Sequence, residues 1–222
     1  MGIYKYDTYR SPNIGIFLKA NDNFLFVPRG FANSKAAKLE GFLNARCVNM
    51  SVAQTRLVGP LMIVNNNGIL LPRIAYDEEV EDLKKATGMN VARLESRLTS
   101  LGNLIALNDR AAIVSPMLPE DVLKQIRDIL GVQTHSMYVA SYHQVGVMIA
   151  CTNVGAAVHP KTTDEEIATI RDVLGVDVVE PATVNGGVPF VAAGAVANSR
   201  SAVVGSLTTG PELMMLSRAF KI

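Results

Sequence analysis

The sequence contains no tryptophan, only three histidines and only two cysteines among its 222 residues. Two thiols, Cys47 and Cys151, are too few for a disulfide framework or a cysteine-based metal cluster. Both lie in apolar stretches, as is typical of buried free thiols in a cytosolic protein. His135 and His143 lack the spacing of zinc ligands. We therefore expect no metal and no other cofactor.

Charge is equally scarce, because charged residues make up 18% of the chain and the formal net charge is +1. A protein that holds nucleic acid mainly through phosphates shows a clear basic excess. We therefore expect a partner recognised largely through shape, apolar surface and hydrogen bonds. The chain has no run of eighteen apolar residues and no apolar h-region at its start. This predicts no membrane partner and a cytoplasmic location.

The chain repeats itself with a period of 44 residues. Similar segments end at Pro28, Pro72, Pro116 and Pro160, and a fifth ends at Ser206 after a step of 46. Seven residues before these positions stand Asn21, Asn65, Asp109, Asn153 and Ser199. We predict that these five residues occupy equivalent turns. Residues 1–222 are then a single domain made of five repeats.

Each repeat has the same order of signals. A glycine opens an apolar run that reads as a strand, and these glycines are Gly15, Gly59, Gly102, Gly146 and Gly194. A polar turn and a second strand follow. Next comes an amphipathic helix, best marked by Thr163 or Asp164 as its cap, with stop signals at Gly88, Gly131 and Gly175. A valine-rich strand completes the strand–strand–helix–strand unit.

Neither end of the chain carries the polar cap that an open stack of repeats requires. The last repeat ends on the apolar helix LMMLSRAF, and the first begins almost at once with a strand. The sequence therefore predicts an α/β protein in the form of a closed pseudo-five-fold propeller, with helices outside and strands around a central axis. This architecture resembles the pentein fold.

Some pentein proteins are enzymes that modify guanidino groups with a cysteine near the C-terminus and a histidine. Here the last 70 residues contain no cysteine. His159 is a candidate general base. The other repeats have Val27, Leu71, Ser115 and Gly205 at the equivalent position, so a histidine in one repeat of five is typical of sequence drift. We therefore expect no catalytic residue, no enzyme and no small-molecule substrate. A guanidino-modifying enzyme and a ring-shaped protein-binding scaffold remain the alternatives.

Several stretches carry a more specific resemblance. RLTSLGNLIALNDRAAIVSPML, RLVGPLMIVNNNGILLP, HPKTTDEE and TVNGGVPFVAAGAVANSRSAVVGSLTTGPEL are similar to the translation initiation factor 6 family. The similarity runs from about Gly15 to the end of the chain. The segments LGN…ND and VVGSLTTGPEL are the specific ones. The short end at Ile222 resembles the archaeal form.

This resemblance implies a factor that binds the large ribosomal subunit at its intersubunit face. There it would contact a ribosomal protein, lie near the sarcin–ricin loop and block joining with the small subunit. It also implies a part in large-subunit biogenesis. Because a closed ring has few free strand edges, we expect a monomer.

The glycine-containing turns before the first strands predict the binding surface, since equivalent positions of a ring lie at one end of its axis. Asn103 leads the candidates, because Ile16, Pro60, Val147 and Ala195 stand there in the other repeats. The resemblance also places this asparagine on the surface that meets the ribosomal protein. The other candidates are Gly102, Gly59, Pro60, Val147 and Ala195, and more weakly Arg56, Asn65 and Asn66. Family members have arginine in place of Pro60 or Asn66, so polar contacts there are expected to differ.

Overall fold

A computed structural model describes residues 2–222 and shows five units around one axis. The chain begins with strand β1 (Gly2–Tyr6). Unit one has a 3-10 helix (Ile14–Ile16), β2 (Lys19–Ala20), β3 (Phe24–Pro28), α1 (Asn33–Leu43) and β4 (Arg46–Met50). Unit two has α2 (Val58–Leu61), β5 (Ile63–Val64), β6 (Gly68–Pro72), α3 (Asp77–Thr87) and β7 (Asn90–Leu94).

The remaining units follow the same order. Unit three has α4 (Leu101–Leu104), β8 (Ile105–Leu107), β9 (Ala111–Val114), α5 (Glu120–Leu130) and β10 (Gln133–Ser136). Unit four has α6 (Val145–Met148), β11 (Ile149–Cys151), β12 (Gly155–Val158), α7 (Asp164–Leu174) and β13 (Val178–Pro181). Unit five has α8 (Val191–Gly194), β14 (Ala195–Ala197), β15 (Ser201–Gly205) and α9 (Gly210–Phe220). Each unit thus has a short helix before its first strand and a long helix after its second.

The sheets are five separate three-stranded blades rather than one continuous barrel. In each blade the middle strand runs antiparallel to the inner strand and parallel to the outer one. In unit three, for example, Ile105 lies opposite Val114, and Gln133 lies opposite Ala111. The inner strands β2, β5, β8, β11 and β14 neighbour one another around the axis. The predicted α/β propeller with strands around a central axis is confirmed.

The ring closes through the N-terminal strand. β1 pairs in parallel with β15, with Gly2 opposite Ser201, and supplies the outer strand of the fifth blade. The amide of Asn198 in unit five donates hydrogen bonds to the carbonyls of Asn21 and Leu43 in unit one. We predicted a strand close to the start of the chain but assigned it to the first unit, whereas it completes the fifth blade. Pairing across nearly the whole chain length leaves no local signal in the sequence.

The long helices bury their apolar stripes in the seams between neighbouring units. Leu123, Ile126 and Leu130 of α5 pack with Leu70 and Leu94 of the preceding unit in one buried cluster. The helix boundaries also agree with the sequence signals. Thr163 caps α7, because its side-chain oxygen accepts a hydrogen bond from the backbone amide of Glu166. The long helices of units two, three and four end at a glycine in the left-handed conformation, at Gly88, Gly131 and Gly175. Helical periodicity and caps depend on residues a few positions apart, so they could be recognised in the sequence.

One detail of the predicted repeat is wrong, and a second differs by one residue. The apolar run after each glycine is not one strand, because its first half forms the short helix and only two or three residues pair. The five predicted residues do lie in equivalent turns, but their register differs by one residue in three units. The residues that accept the same turn hydrogen bonds are Asn21, Asn65, Asn108, Thr152 and Asn198. Asp109, Asn153 and Ser199 therefore lie one residue later than we predicted. Their place corresponds to Asp22 and Asn66.

No helix within residues 2–222 combines the length and apolar character needed to cross a membrane.

Candidate functional site

The two ends of the axis differ in construction. We call one end the short-helix face; it comprises the five short helices, the turns that precede them and the segments between each middle strand and the next long helix. We call the other end the asparagine face; it comprises the turns that begin at Asn21, Asn65, Asn108, Thr152 and Asn198. The inner strands run from the first face to the second. The Ser115 and His159 amides, at the ends of middle strands, donate to short-helix carbonyls, which fixes those segments to the short-helix face.

The centre of the short-helix face depends on backbone packing between glycines. A Cβ atom added to Gly59 would lie 1.7 Å from the Gly15 carbonyl oxygen, and one added to Gly102 would lie 1.9 Å from that of Gly59. Gly15 in turn faces the Ala192 carbonyl of unit five. Side chains at these glycine positions would separate the short helices. The glycines therefore set the diameter of the ring at this end.

These helices surround a cavity of about 230 Å³ that opens on the axis. Its lining includes Gly59, Pro60, Gly102, Asn103 and Val147. The structure thus brings together five of the residues that we predicted from the sequence as the binding surface. Among residues 2–222 the Asn103 side-chain amide has no hydrogen-bond partner, and only its backbone is bonded, to Ser100 at 3.0 Å. Asn103 is therefore available to a partner at the mouth of the cavity.

Ala195 is misplaced in our sequence prediction. It is the first residue of β14 and is buried, whereas Ala193 lies at the place that corresponds to Asn103. The error arises because unit five has Ala192 where the other units have the packing glycine. Gly194, which we took for that glycine, lies two residues further along. Ala195 therefore does not belong to the face.

Arg56 does lie on the short-helix face, in the turn before α2. Its guanidinium group lies over the Tyr9 ring, 5.0 Å from the centroid. The Tyr9 ring also meets Phe17 and Phe31 edge-on. This stacking holds the cation away from the central cavity, at the edge of units one and two.

Asn65 and Asn66 belong to the opposite end of the axis, so their assignment to the same surface is wrong. Asn65 is buried, and its amide donates to the carbonyls of Asn108 and Leu130 in the next unit. Asn66 donates to Asp22 at 2.8 Å and to Asp109 at 2.6 Å, in the two neighbouring units. Both side chains join units to one another. The turn sequence alone does not reveal at which end of a strand the docking surface lies.

Three buried or half-buried glutamates hold the turns of the short-helix face. Glu79 accepts hydrogen bonds from the Ala53 and Gln54 amides, at 2.8 and 2.9 Å. Glu166 holds Ala140 in the same way, and Glu212 holds Gly186 and Gly187. Each glutamate also closes the capping box of its own helix. One carboxylate thus couples a helix start to the neighbouring surface turn.

These carboxylates predict a loss of stability in acid. Burial alone would raise the pKa of Glu212, but hydrogen bonds from Thr209, Thr183 and Gly187 outweigh it and lower the pKa to about 2. The pKa of Glu79 is lowered by the same balance. A carboxylate with a lowered folded-state pKa stabilises the fold above its unfolded pKa, and this stabilisation is lost as pH falls. We expect the free energy of unfolding in urea to decline between pH 4.5 and pH 2, and to decline less in Glu212→Gln. A flat profile over that range would contradict this role.

Apolar side chains are concentrated on the short-helix face. Among the described residues, ten large hydrophobic side chains are exposed, and nine of them lie on this face: Tyr9, Leu57, Ile74, Tyr76, Met117, Tyr138, Tyr142, Phe190 and Leu207. The exception is Met214 in α9. Exposed apolar surface on one side of a protein is typical of a binding site. Sequence reasoning missed these residues, although each follows a strand or precedes a helix start in its repeat.

The thiols and His159 do not form a reactive pair. Burial raises the pKa of Cys151 to about 12 and that of Cys47 to about 11, so both remain protonated at neutral pH. His159 lies on the short-helix face, at the end of β12, whereas Cys151 ends β11 at the asparagine face. The His159 ring packs with Tyr142 and Phe190, and its Nδ1 accepts a hydrogen bond from the backbone amide of Lys161 at 3.1 Å. These contacts are those of a structural side chain on an aromatic patch.

Comparison with known proteins identifies the family. The family model described as the eIF-6 family matches residues 3–219. Translation initiation factor 6 of Cenarchaeum symbiosum (strain A) is 58% identical over 220 residues, covering 99% of both chains. That of Nitrosopumilus maritimus (strain SCM1) is 55% identical over 220 residues, again with 99% of both chains covered. That of Pyrococcus horikoshii is 38% identical over 224 residues, covering 99% of this chain and 98% of the relative. The repeat, the five-bladed ring and these matches together show that the chain belongs to the eIF-6 family.

Proposed function

We propose that this chain is a translation initiation factor that binds the large ribosomal subunit at its intersubunit face and blocks joining with the small subunit. The family relationship supports the initiation factor role, since the relatives above are named translation initiation factor 6. The observation that carries the binding mode is the short-helix face, with its exposed apolar residues around a free Asn103. A protein of this width held there would obstruct the small subunit by its bulk.

The same surface supports a protein partner rather than an extended nucleic acid. The mouth of the cavity is uncharged, because Ile16, Pro60, Asn103, Val147 and Ala193 surround it. Interfaces between proteins have apolar centres and polar rims. We therefore propose docking on a ribosomal protein, beside the sarcin–ricin loop. We further propose that the chain acts as a monomer in the cytoplasm, takes part in large-subunit biogenesis and catalyses no reaction.

Co-sedimentation with isolated ribosomal subunits tests this function. We expect the protein to pellet with large subunits, not with small ones, and to lower the yield of joined ribosomes. With a net charge of +1, binding should weaken only slightly with salt. A protein with 6–10 phosphate contacts loses roughly 10³–10⁵ in affinity between about 50 and 200 mM salt. Binding to small subunits alone would refute the assignment, and a steep salt dependence would refute the protein-centred docking mode.

A further inference from the structure

Lys19 places a cation in the centre of the ring, where the fold does not require one. It belongs to the inner strand β2 and lines both the cavity of the short-helix face and the axial cavity beneath it. The corresponding residues in the other four units are Ile63, Ala106, Ala150 and Val196. In four of the five units an apolar residue therefore occupies this position.

The Lys19 ammonium group also lacks a partner within the ring. Among residues 2–222 no hydrogen bond or salt bridge from its Nζ is formed, and no carboxylate lines either cavity that it reaches. The titratable neighbour is Cys151, whose thiol remains protonated because burial raises its pKa to about 12. Burial correspondingly lowers the pKa of Lys19. An ammonium that is half-buried in an apolar cavity without a counter-charge weakens a fold, so its presence points to a role outside folding.

The cavity above Lys19 has the size of a receptor for a side chain. Its volume of about 230 Å³ is smaller than the roughly 300–1,000 Å³ of pockets for drug-sized ligands. Glycines, Pro60, Ile16, Val147 and Asn103 form its wall. The site is therefore a neutral, narrow opening with one positive charge inside. Such a site fits a single anionic group that enters from the face.

We propose that this cavity receives the carboxylate of an aspartate or glutamate from the docking protein, which pairs with Lys19 when the short-helix face is covered. The inference rests on the proposed function and adds a specificity-determining contact to it. Pairing supplies the missing counter-charge in a site from which the docked partner excludes water, where a charge pair is strongest.

A side-chain carboxylate fits this opening better than an RNA phosphate. A backbone phosphate is flanked by riboses on both sides, so it needs an open groove lined by several cations. Here five units close the opening on all sides, and within residues 2–222 its lining contains one charged residue, Lys19. An acidic side chain ends in its charged group and can enter alone.

The variant Lys19→Met separates binding from stability. It removes the unpaired charge, so we expect its melting temperature to rise by a few degrees. Binding to isolated large subunits should weaken by about thirty-fold or more, the usual result of removing one member of a buried charge pair. Lys161→Met is the matched control, because Lys161 is an exposed lysine on the same face. It should change binding less than about three-fold, as exposed charges do.

Carbodiimide coupling identifies the group that meets Lys19. The reagent activates a carboxylate, and the lysine amine displaces it to form an amide between the two proteins. We expect a cross-linked peptide that joins Lys19 to an acidic residue of a large-subunit protein, absent in Lys19→Met. Normal binding by Lys19→Met, a lower melting temperature of this variant, or cross-linking of position 19 to RNA would each overturn the proposal. If the unmodified protein fails to bind large subunits, the proposed function fails first, and the two failures are thereby distinguished.

Discussion

Asn103→Ala is expected to bind the large ribosomal subunit about 5- to 150-fold more weakly than the unmodified protein, with nearly the same melting temperature. The interface hydrogen bond of Asn103 would be lost, and its partner would be left unpaired in a desolvated site, at a cost of about 1–3 kcal/mol. Stability should not fall, because the Asn103 amide has no hydrogen-bond partner among residues 2–222. Sedimentation binding and thermal unfolding of the same preparation measure both effects.

Asn23→Ala is the matched control for Asn103→Ala. Asn23 is an exposed asparagine on the asparagine face, so the same chemical change is made at the opposite end of the axis. We expect its binding to be unchanged. Normal binding by Asn103→Ala, or a large drop in its melting temperature, would make Asn103 a structural turn residue and would remove it from the docking surface.

Asn66→Asp is expected to destabilise the ring at neutral pH without changing the docking surface. The Asn66 amide donates to the carboxylates of Asp22 and Asp109, and the Asn153 amide completes this network at 2.7 Å from Asp109. A third carboxylate would remove two hydrogen bonds to charged groups, each contributing about 1.5–3 kcal/mol, and would add like-charge repulsion. We expect the free energy of unfolding to fall by about 3–6 kcal/mol.

The destabilisation of Asn66→Asp should diminish as pH falls. The introduced carboxyl group is expected to have a raised folded-state pKa beside two carboxylates, so its protonation in mild acid removes the repulsion and restores one donor. Asn23→Asp, which adds a carboxylate to an exposed position of an equivalent turn, is the control and should stay close to the unmodified protein. An Asn66→Asp protein as stable as this control at pH 7 would contradict the axial network.

Local signals explain how much of the fold could be predicted. The stripe Leu123, Ile126 and Leu130, the cap at Thr163 and the stop at Gly131 depend on contacts within one helix, so each left a readable pattern. The 44-residue period then predicted five copies of one unit. The aligned turns were shifted by one residue in three units, because Asn108–Asp109 and its counterparts place two polar residues side by side. Only the hydrogen bonds of the folded turn show which of the two adjacent polar residues begins it.

The candidate site was predicted in part, and the limits have physical causes. Asn103 and its neighbours were found because a polar residue interrupts an apolar position of the repeat, and this signal lies in one segment. The position of Asn66 beside Asp22 of the preceding unit depends on the strand direction in two different units. The nine exposed apolar side chains come from turns throughout the chain, so only the ring places them on one face.

The sequence by itself determined the repeated unit, its long helices and the residue types available for binding, since periodicity and capping act over a few residues. The tertiary structure alone decided that β1 closes the ring on β15 and that Asn65 and Asn66 join units at the asparagine face. It also decided that Lys19 lines the cavity on the axis without a counter-charge among residues 2–222. These features depend on pairing between residues far apart in the chain. Such pairing is set by the geometry of the closed ring, which no single segment encodes.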